Sequence, residues 1–519
     1  MHHLVDAQQN SVLSSGDFYK ISVENDGIYQ LTYSDFQELN ISINNIDISS
    51  IKLYGNGGGM LPNLNSDFRN SDLQQNAVYI YDDNNNGIFN SEDYLLFFGQ
   101  SPHEWAFDSI QNIFDYSEHL YSDKNYYFIT LDESSPSKRI EEKQILTNFN
   151  KTITSFNDFQ VHETNSENLI QSGREWYGER FGVIDKYSFG FNFPNLVTAH
   201  PINIKTSVAA RSLNQSSFNI KANNNFVSNV NVTKIVYDYA TPYAFTGFSS
   251  NQFTSNSDQI NIDVEYNYSE NNAIGWLNYL QLNVRRSLQI TNDNLHFRDI
   301  EFLSSNDVGK FIISNANSST QVWDVSDILN VKKLPTNLAG NEISFLDSLS
   351  NLKTYYAFNN VFERPKLIGK IENQNLHNFG SEIEYVIITH PSFLSAANRL
   401  AEFHQDKDNL TSKVVTPQEI YNEFSSGKQD ASAIRDFLRM LYKRPNSQFK
   451  YGLLFGDGSY DNKSRIPNNT NFIPTFQSEH STDPTKSYVT DDYYALLDDS
   501  DGDFVNDLID IGVGRLPKK

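Results

Sequence analysis

The sequence predicts a multidomain protein: two β-rich, sandwich-like domains followed by a doubly wound α/β domain. Three observations carry that reading. The 519-residue length exceeds what one core organises and suggests about three domains. Aromatics make up 13% of residues, and the 29 Tyr and 37 Phe that dominate them favour strands. Near residue 380, short strands broken by Asn, Gly and Asp turns give way to apolar strands alternating with helix-period segments.

Residues 1–131 read as the first β-rich domain. Tyr19-Lys-Ile-Ser-Val23 alternates, and Asp26-Gly27 marks a hairpin turn before Ile28-Tyr-Gln-Leu-Thr32. One helical insert is expected from Tyr33 to Leu39. Ile51-Lys-Leu-Tyr54, Ala77-Val-Tyr-Ile-Tyr81, Tyr94-Leu-Leu-Phe-Phe98 and Tyr126-Tyr-Phe-Ile-Thr-Leu131 supply further strands. Residues 132–169 are polar and charged and read as a linker or excursion. Residues 170–378 read as a second sandwich. There Ile260, Ile262, Val264 and Tyr266 alternate with polar partners, and Leu277 to Val284, Phe311-Ile-Ile and Tyr355 to Phe358 add strands.

Residues 379–519 form the α/β segment. Tyr385-Val-Ile-Ile-Thr389 is apolar throughout, as strands buried on both faces are. A helix carrying Phe393, Ala397, Leu400 and Ala401 on one face follows, then the strand Lys413-Val-Val415. Thr416-Pro-Gln-Glu419 is a capping box with Pro at the first helical position. Asp430 caps a helix whose stripe is Ile434, Phe437, Leu438 and Leu441. Tyr451-Gly-Leu-Leu-Phe455 is the third strand. Ligands of such sheets sit beyond the strands' carboxyl ends, where Gly456-Asp-Gly-Ser459 lies.

Charge and composition narrow the function classes. The net charge is −24, so a phosphate-backbone binder is disfavoured and no nucleic-acid partner is expected. The absence of Cys excludes disulfides and thiolate metal sites. No run of eighteen apolar residues occurs. Met1-His-His-Leu-Val-Asp-Ala is too short and polar for a signal peptide, so either the protein is cytoplasmic or its leader is missing from this sequence.

Several motifs carry candidate chemistry. Asp82, Asn84, Asn86, Ile88, Asn90 and Asp93 occupy the ligand positions of a twelve-residue calcium loop, with Gly87 at its sharp turn. The competing reading is an Asx-rich turn joining two strands, because no helices flank it. Asp498-Asp-Ser-Asp-Gly-Asp503 fits no ligand set and reads as a solvated turn. Asp457, Asp461, Asp491 and Asp492 gather at the expected active edge, as acid/base groups or as loop caps. Ser459 lacks the Gly-x-Ser-x-Gly elbow, and Gly55-Asn-Gly-Gly-Gly59 lacks the ending of a phosphate loop. His390, His404 and His480 have no metal-ligand spacing and read as structural.

The α/β segment resembles the gingipain-type peptidases, family C25, which have a caspase-like sheet. The resemblance rests on Tyr385-Val-Ile-Ile-Thr389, Ala433-Ile-Arg-Asp-Phe437, Leu454-Phe-Gly-Asp-Gly-Ser-Tyr-Asp461, Ile473-Pro474, Thr490-Asp-Asp-Tyr-Tyr494 and Ile511-Gly-Val-Gly-Arg-Leu-Pro517. Upstream, Tyr54-Gly-Asn-Gly-Gly-Gly-Met-Leu-Pro62, Gly173-Arg-Glu-Trp176, Gly275-Trp-Leu277 and Val322-Trp-Asp-Val325 look like the type IX secretion sortases of that family. The resemblance implies a surface-facing, outer-membrane protein that cleaves the C-terminal sorting domain of secreted cargo and attaches the cargo to anionic lipopolysaccharide. The implied partners are the cargo, the outer-membrane barrel PorV and other attachment-complex proteins. The thiol chemistry needs no cofactor, leaving calcium as the one cofactor expectation.

In that family a thiolate activated by imidazole attacks the peptide carbonyl. Its His, in a Gly-His-Gly turn, and its Cys both lie downstream of the motif ending at Pro517. No catalytic residue therefore carries over, and the chain is expected to represent the part before the catalytic half. Arg515 is expected to be a structural ion-pair partner. The rival readings are a non-enzymatic surface adhesion or assembly module and a calcium-binding module.

Overall fold

The computed structural model describes residues 10–42, 45–238, 240–304, 306–502 and 507–518. Phe18–Val23 lies inside a five-stranded antiparallel sheet, ordered Lys366–Ile371, Phe18–Val23, Asn125–Leu131, Ile51–Tyr54, Gln75–Asn76. The Asp26-Gly27 turn does not close the expected hairpin. Gly27–Thr32 crosses instead to a second sheet, with Tyr94–Gly99 and Tyr79–Tyr81. The reason is burial: Ile21 and Val23 from one strand and Tyr29 and Leu31 from the other fill one core between the sheets. The strands meet through side chains rather than backbones. The predicted helix forms at Tyr33–Glu38, held by a capping box between Thr32 and Asp35.

Residues 132–169, read as a linker or excursion, contain the strands Glu141–Glu142, Lys151–Ile153 and Ser155–Glu163. Ser155–Glu163 is an interior strand of a ten-stranded sheet and pairs along its full length with Ile274–Ser287. Its polar composition hid it: Phe156 enters an apolar core, but Asp158 and Phe159 meet polar and aromatic partners. Asp158 pairs with Arg286 at 2.6 Å, and Phe159 stacks on Trp105 at 3.9 Å. Trp105 belongs to a hairpin of Glu104–Asp108 and Ile113–Ser117 reaching over from the first domain.

The long sheet carries two sandwiches side by side. Lys186–Asn192, Gln259–Asn267, Ser216–Ala222 and Asn225–Val232 pack on one part, where Ile260, Ile262, Val264 and Tyr266 are buried as the alternation predicts. Lys151–Ile153, Val308–Ser314, Glu342–Ser348 and Asn337–Ala339 pack on another. Lys366–Ile371 then returns to pair with Phe18–Val23. Ile28, Leu96 and Phe98 of the first domain share a core with Trp323, Val325, Tyr356 and Phe358 of the second.

The α/β segment comprises β1 (Tyr385–Thr389), α1 (Leu394–Asp408), β2 (Ser412–Val415), α2 (Pro417–Phe424), α3 (Ala431–Tyr442), β3 (Tyr451–Phe455) and β4 (Gly512–Leu516). The strands are all parallel, in the order β2-β1-β3-β4. Thr416 and Glu419 form the expected capping box of α2, and Asp430 accepts from the Ser432 amide to cap α3. Ile434, Phe437, Leu438 and Leu441 of α3 pack with Ile420 of α2 on Val386, Ile388 and Leu454. On the other face Ala397 and Leu400 of α1 meet Ile387 and Phe455. This layering puts the turn after β3 at the open carboxyl end of the sheet.

Candidate active-site edge of the parallel sheet

Three of the four predicted carboxylates hold loops in place at this edge. Asp457 accepts from the Thr470 hydroxyl at 2.8 Å and from the Gly458 amide at 3.1 Å. Asp461 is fully buried, accepts from the amides of Lys463 (3.1 Å) and Ile466 (2.7 Å), and faces Arg465 at 3.5 Å. Asp491 takes two parallel bonds from Arg515, at 2.8 and 2.7 Å. The remaining Arg515 donors reach the carbonyl oxygens of Gly456 (3.1 Å), Ile473 (2.9 Å) and Pro474 (3.1 Å). Arg515 thus ties β4 to the turn after β3 and to the loop before the Phe476–Gln477 strand, the structural ion-pair role expected of it. Asp492 opens the 3-10 turn Asp492–Ala495, its amide donating to the Thr490 hydroxyl oxygen at 3.0 Å.

The histidines are not paired with a nucleophile. His390 follows β1 and packs its ring on Phe472 at 4.7 Å, and burial lowers its pKa, favouring neutral imidazole. His404 on α1 bonds Asp408 at 2.6 Å, and His480 is exposed on a loop. The Ser459 hydroxyl oxygen accepts from the Asp461 amide at 3.0 Å. Among the described residues no imidazole bonds a serine hydroxyl, and the sequence has no Cys, so these residues hold an edge and its backbone without a nucleophile–base pair.

The 82–93 loop turns its oxygens onto its own backbone. Asp82 accepts from the amides of Asn86 (3.2 Å) and Gly87 (2.9 Å), Asn84 from Asn86 (3.1 Å), and Asn86 from Ile88 (2.7 Å). Asp93 accepts from the backbone amides of Asp83 and Asn90, each at 2.8 Å, and the Asn90 side-chain Nδ2 donates to the Ile88 carbonyl at 3.1 Å. Gly87 has φ +77°, the left-handed turn anticipated for it. These are the bonds of an Asx-rich turn between Tyr79–Tyr81 and Ile88–Phe89. Of the second acidic run, Asp501 accepts from the Asp498 amide at 2.9 Å and Asp499 pairs with Arg439 at 2.5 Å. Asp503 lies outside the described residues.

Sequence reasoning missed how far the sandwich domain enters this region. Gly173 has φ +78°, and a Cβ there would sit 2.4 Å from the His480 carbonyl oxygen. The Arg174 amide donates to the Ser478 carbonyl at 2.9 Å, the Glu175 amide to the Ser481 hydroxyl at 2.8 Å, and Trp176 stacks on Tyr460 at 5.7 Å. Gly173-Arg-Glu-Trp176 stood out in the sequence only as part of a resemblance. Its partners lie some 300 residues away along the chain and could not be named from it.

Residues 380–519 match the profile of peptidase family C25. Dimeric latent PorU from Porphyromonas gingivalis superposes on this chain with a TM-score of 0.84 at 24% identity, covering 99% of this chain and 49% of that one. The chain has the PorU fold. It spans about half of PorU's length, with the C25 segment at its C-terminal end, and the architecture expected from the motifs holds. A calcium- and xylotriose-bound carbohydrate-binding module CBM36 (14% identity, 25% of this chain, 99% of that one) reaches a TM-score of 0.17. The delta-endotoxin Cry8Ea1 from Bacillus thuringiensis (11% identity, 46% of this chain, 42% of that one) also reaches 0.17. No curated protein sequence matches the chain.

Proposed function

We propose that this PorU-like chain is the N-terminal part of a type IX secretion sortase. In this reading the complete protein is a surface-exposed cysteine peptidase of the outer membrane. It removes the sorting domain from secreted cargo and passes the cargo to an amine on anionic lipopolysaccharide, working beside the barrel PorV. The observation that carries the reading is the PorU fold over 99% of the chain together with the C25 match at 380–519. Within these residues the work is positional. Arg515 and Asp491 fix the turn after β3, and the Gly173–Trp176 segment braces the loops beside it.

Thiol catalysis needs a thiolate, and these 519 residues contain no Cys. The purified chain should therefore leave sorting-domain peptides intact. Turnover that survives mutation of Ser459 and His390 and repeated purification would sink the cysteine-peptidase reading. In this reading the complete protein carries the family's Gly-His-Gly and Cys and should cleave those peptides, with activity abolished by a thiol alkylator.

A further inference from the structure

The chain has two Asn-Gly pairs, Asn56-Gly57 and Asn86-Gly87. In such a pair the glycine nitrogen is the next main-chain nitrogen after the asparagine side-chain carbonyl. Attack on that carbonyl closes a five-membered ring, and no second reactant has to be brought in. Glycine, without a Cβ, leaves the approach open. The two pairs differ in what surrounds them.

Asn86 is exposed, and nothing lies within 4 Å of where a Cβ on Gly87 would stand. The Gly87 N–H donates to Asp82 Oδ2 at 2.9 Å, so the proton that must leave the attacking nitrogen already points at a carboxylate. Asn86 Oδ1 accepts from the Ile88 N–H at 2.7 Å. A donor is therefore aimed at the oxygen on which negative charge develops during attack. Asn56 is held otherwise. Its Oδ1 accepts from the Gln74 amide at 2.9 Å and its Nδ2 donates to the Asp72 carbonyl at 3.2 Å. Gly57 is buried, and its carbonyl is bonded by Lys428 at 2.5 Å.

We propose that Asn86 is a self-modification site, converted through a succinimide to aspartate and isoaspartate, with Asp82 as the base and the Ile88 N–H as the oxyanion donor. The Gly87 nitrogen attacks Asn86 Cγ as its proton passes to Asp82. The Cγ–Nδ2 bond then breaks, and the side-chain nitrogen takes that proton and leaves as ammonia. Water opens the five-membered imide at either carbonyl. One opening gives aspartate at position 86, and the other gives isoaspartate, with the main chain rerouted through the former side chain.

The product matters to the first domain. The Gly87 carbonyl accepts from the Ile48 amide at 3.0 Å, and Ile88–Phe89 pairs with Ile46–Asp47. Phe89 is 1% exposed and packs on Phe36 at 4.9 Å. Isoaspartate lengthens the main chain by one atom just before this short pairing and shifts its register, so the conversion acts as a slow, covalent loosening of one corner of the core. The inference stands apart from the sortase reading, since it is read on the chain itself without turnover.

Incubation of the full chain at about pH 8 and about 37 °C tests it, with samples taken over days for peptide mass spectrometry and enzymatic isoaspartate methylation. Conversion at Asn86 is expected at least about tenfold faster than at Asn56, and at least about threefold faster than in a synthetic peptide of residues 80–94, which lacks the folded turn. Asp82→Asn keeps an acceptor oxygen for the Gly87 amide but removes the base, and should slow conversion about tenfold without lowering the melting temperature. Products without isoaspartate, an Asn86 rate no greater than that of Asn56 or of the peptide, or an undiminished rate in Asp82→Asn would overturn the assignment. The comparison of folded chain with peptide is read on the unaltered sequence and decides the matter even if the variant misfolds.

Discussion

Arg515 donates to both oxygens of Asp491 and to three backbone carbonyls, and its side chain is only 12% exposed. Removing it strands the carboxylate and leaves carbonyls unpaired, at a cost of about 3 kcal/mol. Arg515→Ala should lower the urea midpoint and speed amide exchange in residues 456–475, and Arg515→Lys should recover little because one ammonium cannot reproduce the fork. Unchanged exchange in that loop would refute the role. A second residue-scale effect concerns pH. His377 bonds Glu423 through Nδ1 at 2.5 Å and the Ser71 carbonyl through Nε2 at 2.9 Å. Burial opposes its charge, but Glu423 and Asp72 outweigh burial and its pKa is raised above 6.5. A raised histidine stabilises fully below its unfolded pKa, and that contribution is lost as pH climbs through the folded value. Asp72, pushed up to about 6 by burial, acts in the same direction, since its ionisation in the fold is penalised. Stability should therefore fall as pH rises, through Asp72 up to about 6 and through His377 above its unfolded value of 6.5, and His377→Gln should flatten the part above 6.5. An identical slope in the variant would exclude this pair as its source.

At the scale of elements, readability tracks how simply a segment is covered. Gln259–Asn267 has one buried face, so its alternation reads directly from the sequence. Both helices of the α2–α3 pair announced themselves through caps, and both caps are made. The Thr416 hydroxyl accepts from the Glu419 amide at 3.3 Å while Glu419 accepts from the Thr416 amide at 2.7 Å. Thr416→Ala should cost about 1 kcal/mol, measured by chemical denaturation, and Thr416→Ser should restore most of it. Equal losses in both variants would assign the effect to the Thr methyl instead. Ser155–Glu163 stayed hidden because its partners, Arg286 and Trp105, come from distant parts of the chain. The candidate edge was half readable for the same reason. Strand order and the β3 turn placed Asp457, Asp461 and Asp491, but whether each carboxylate works as an acid or as a cap depends on Thr470, Ile466 and Arg515, supplied by folding.

On the scale of the whole molecule, the three regions are joined by shared sheets and buried cations rather than by linkers. Lys366–Ile371 completes the first sheet from the far end of the second domain. Lys20 reaches from the first domain to Asn422 (2.9 Å) and to the Gly427 carbonyl (3.2 Å) in the α/β segment. Lys428 reaches back to the Gly57 carbonyl at 2.5 Å and to Asn125 at 3.1 Å. Burial depresses both lysines, to about 7 and about 8, so each is held by neutral acceptors at a desolvation cost that only the assembled chain offsets. Residues 1–131 expressed alone would present the Phe18–Val23 edge without its neighbour. They would also expose Ile28, Leu96 and Phe98, each worth about 1.5–3 kcal/mol when buried. That fragment should be aggregated or lack fixed tertiary structure. Residues 10–378 keep the edge strand and the shared core, and should give dispersed amide resonances. A well-dispersed, monomeric spectrum from 1–131 would show that the first domain holds itself together, and that the return strand is an addition to a finished fold rather than part of its core.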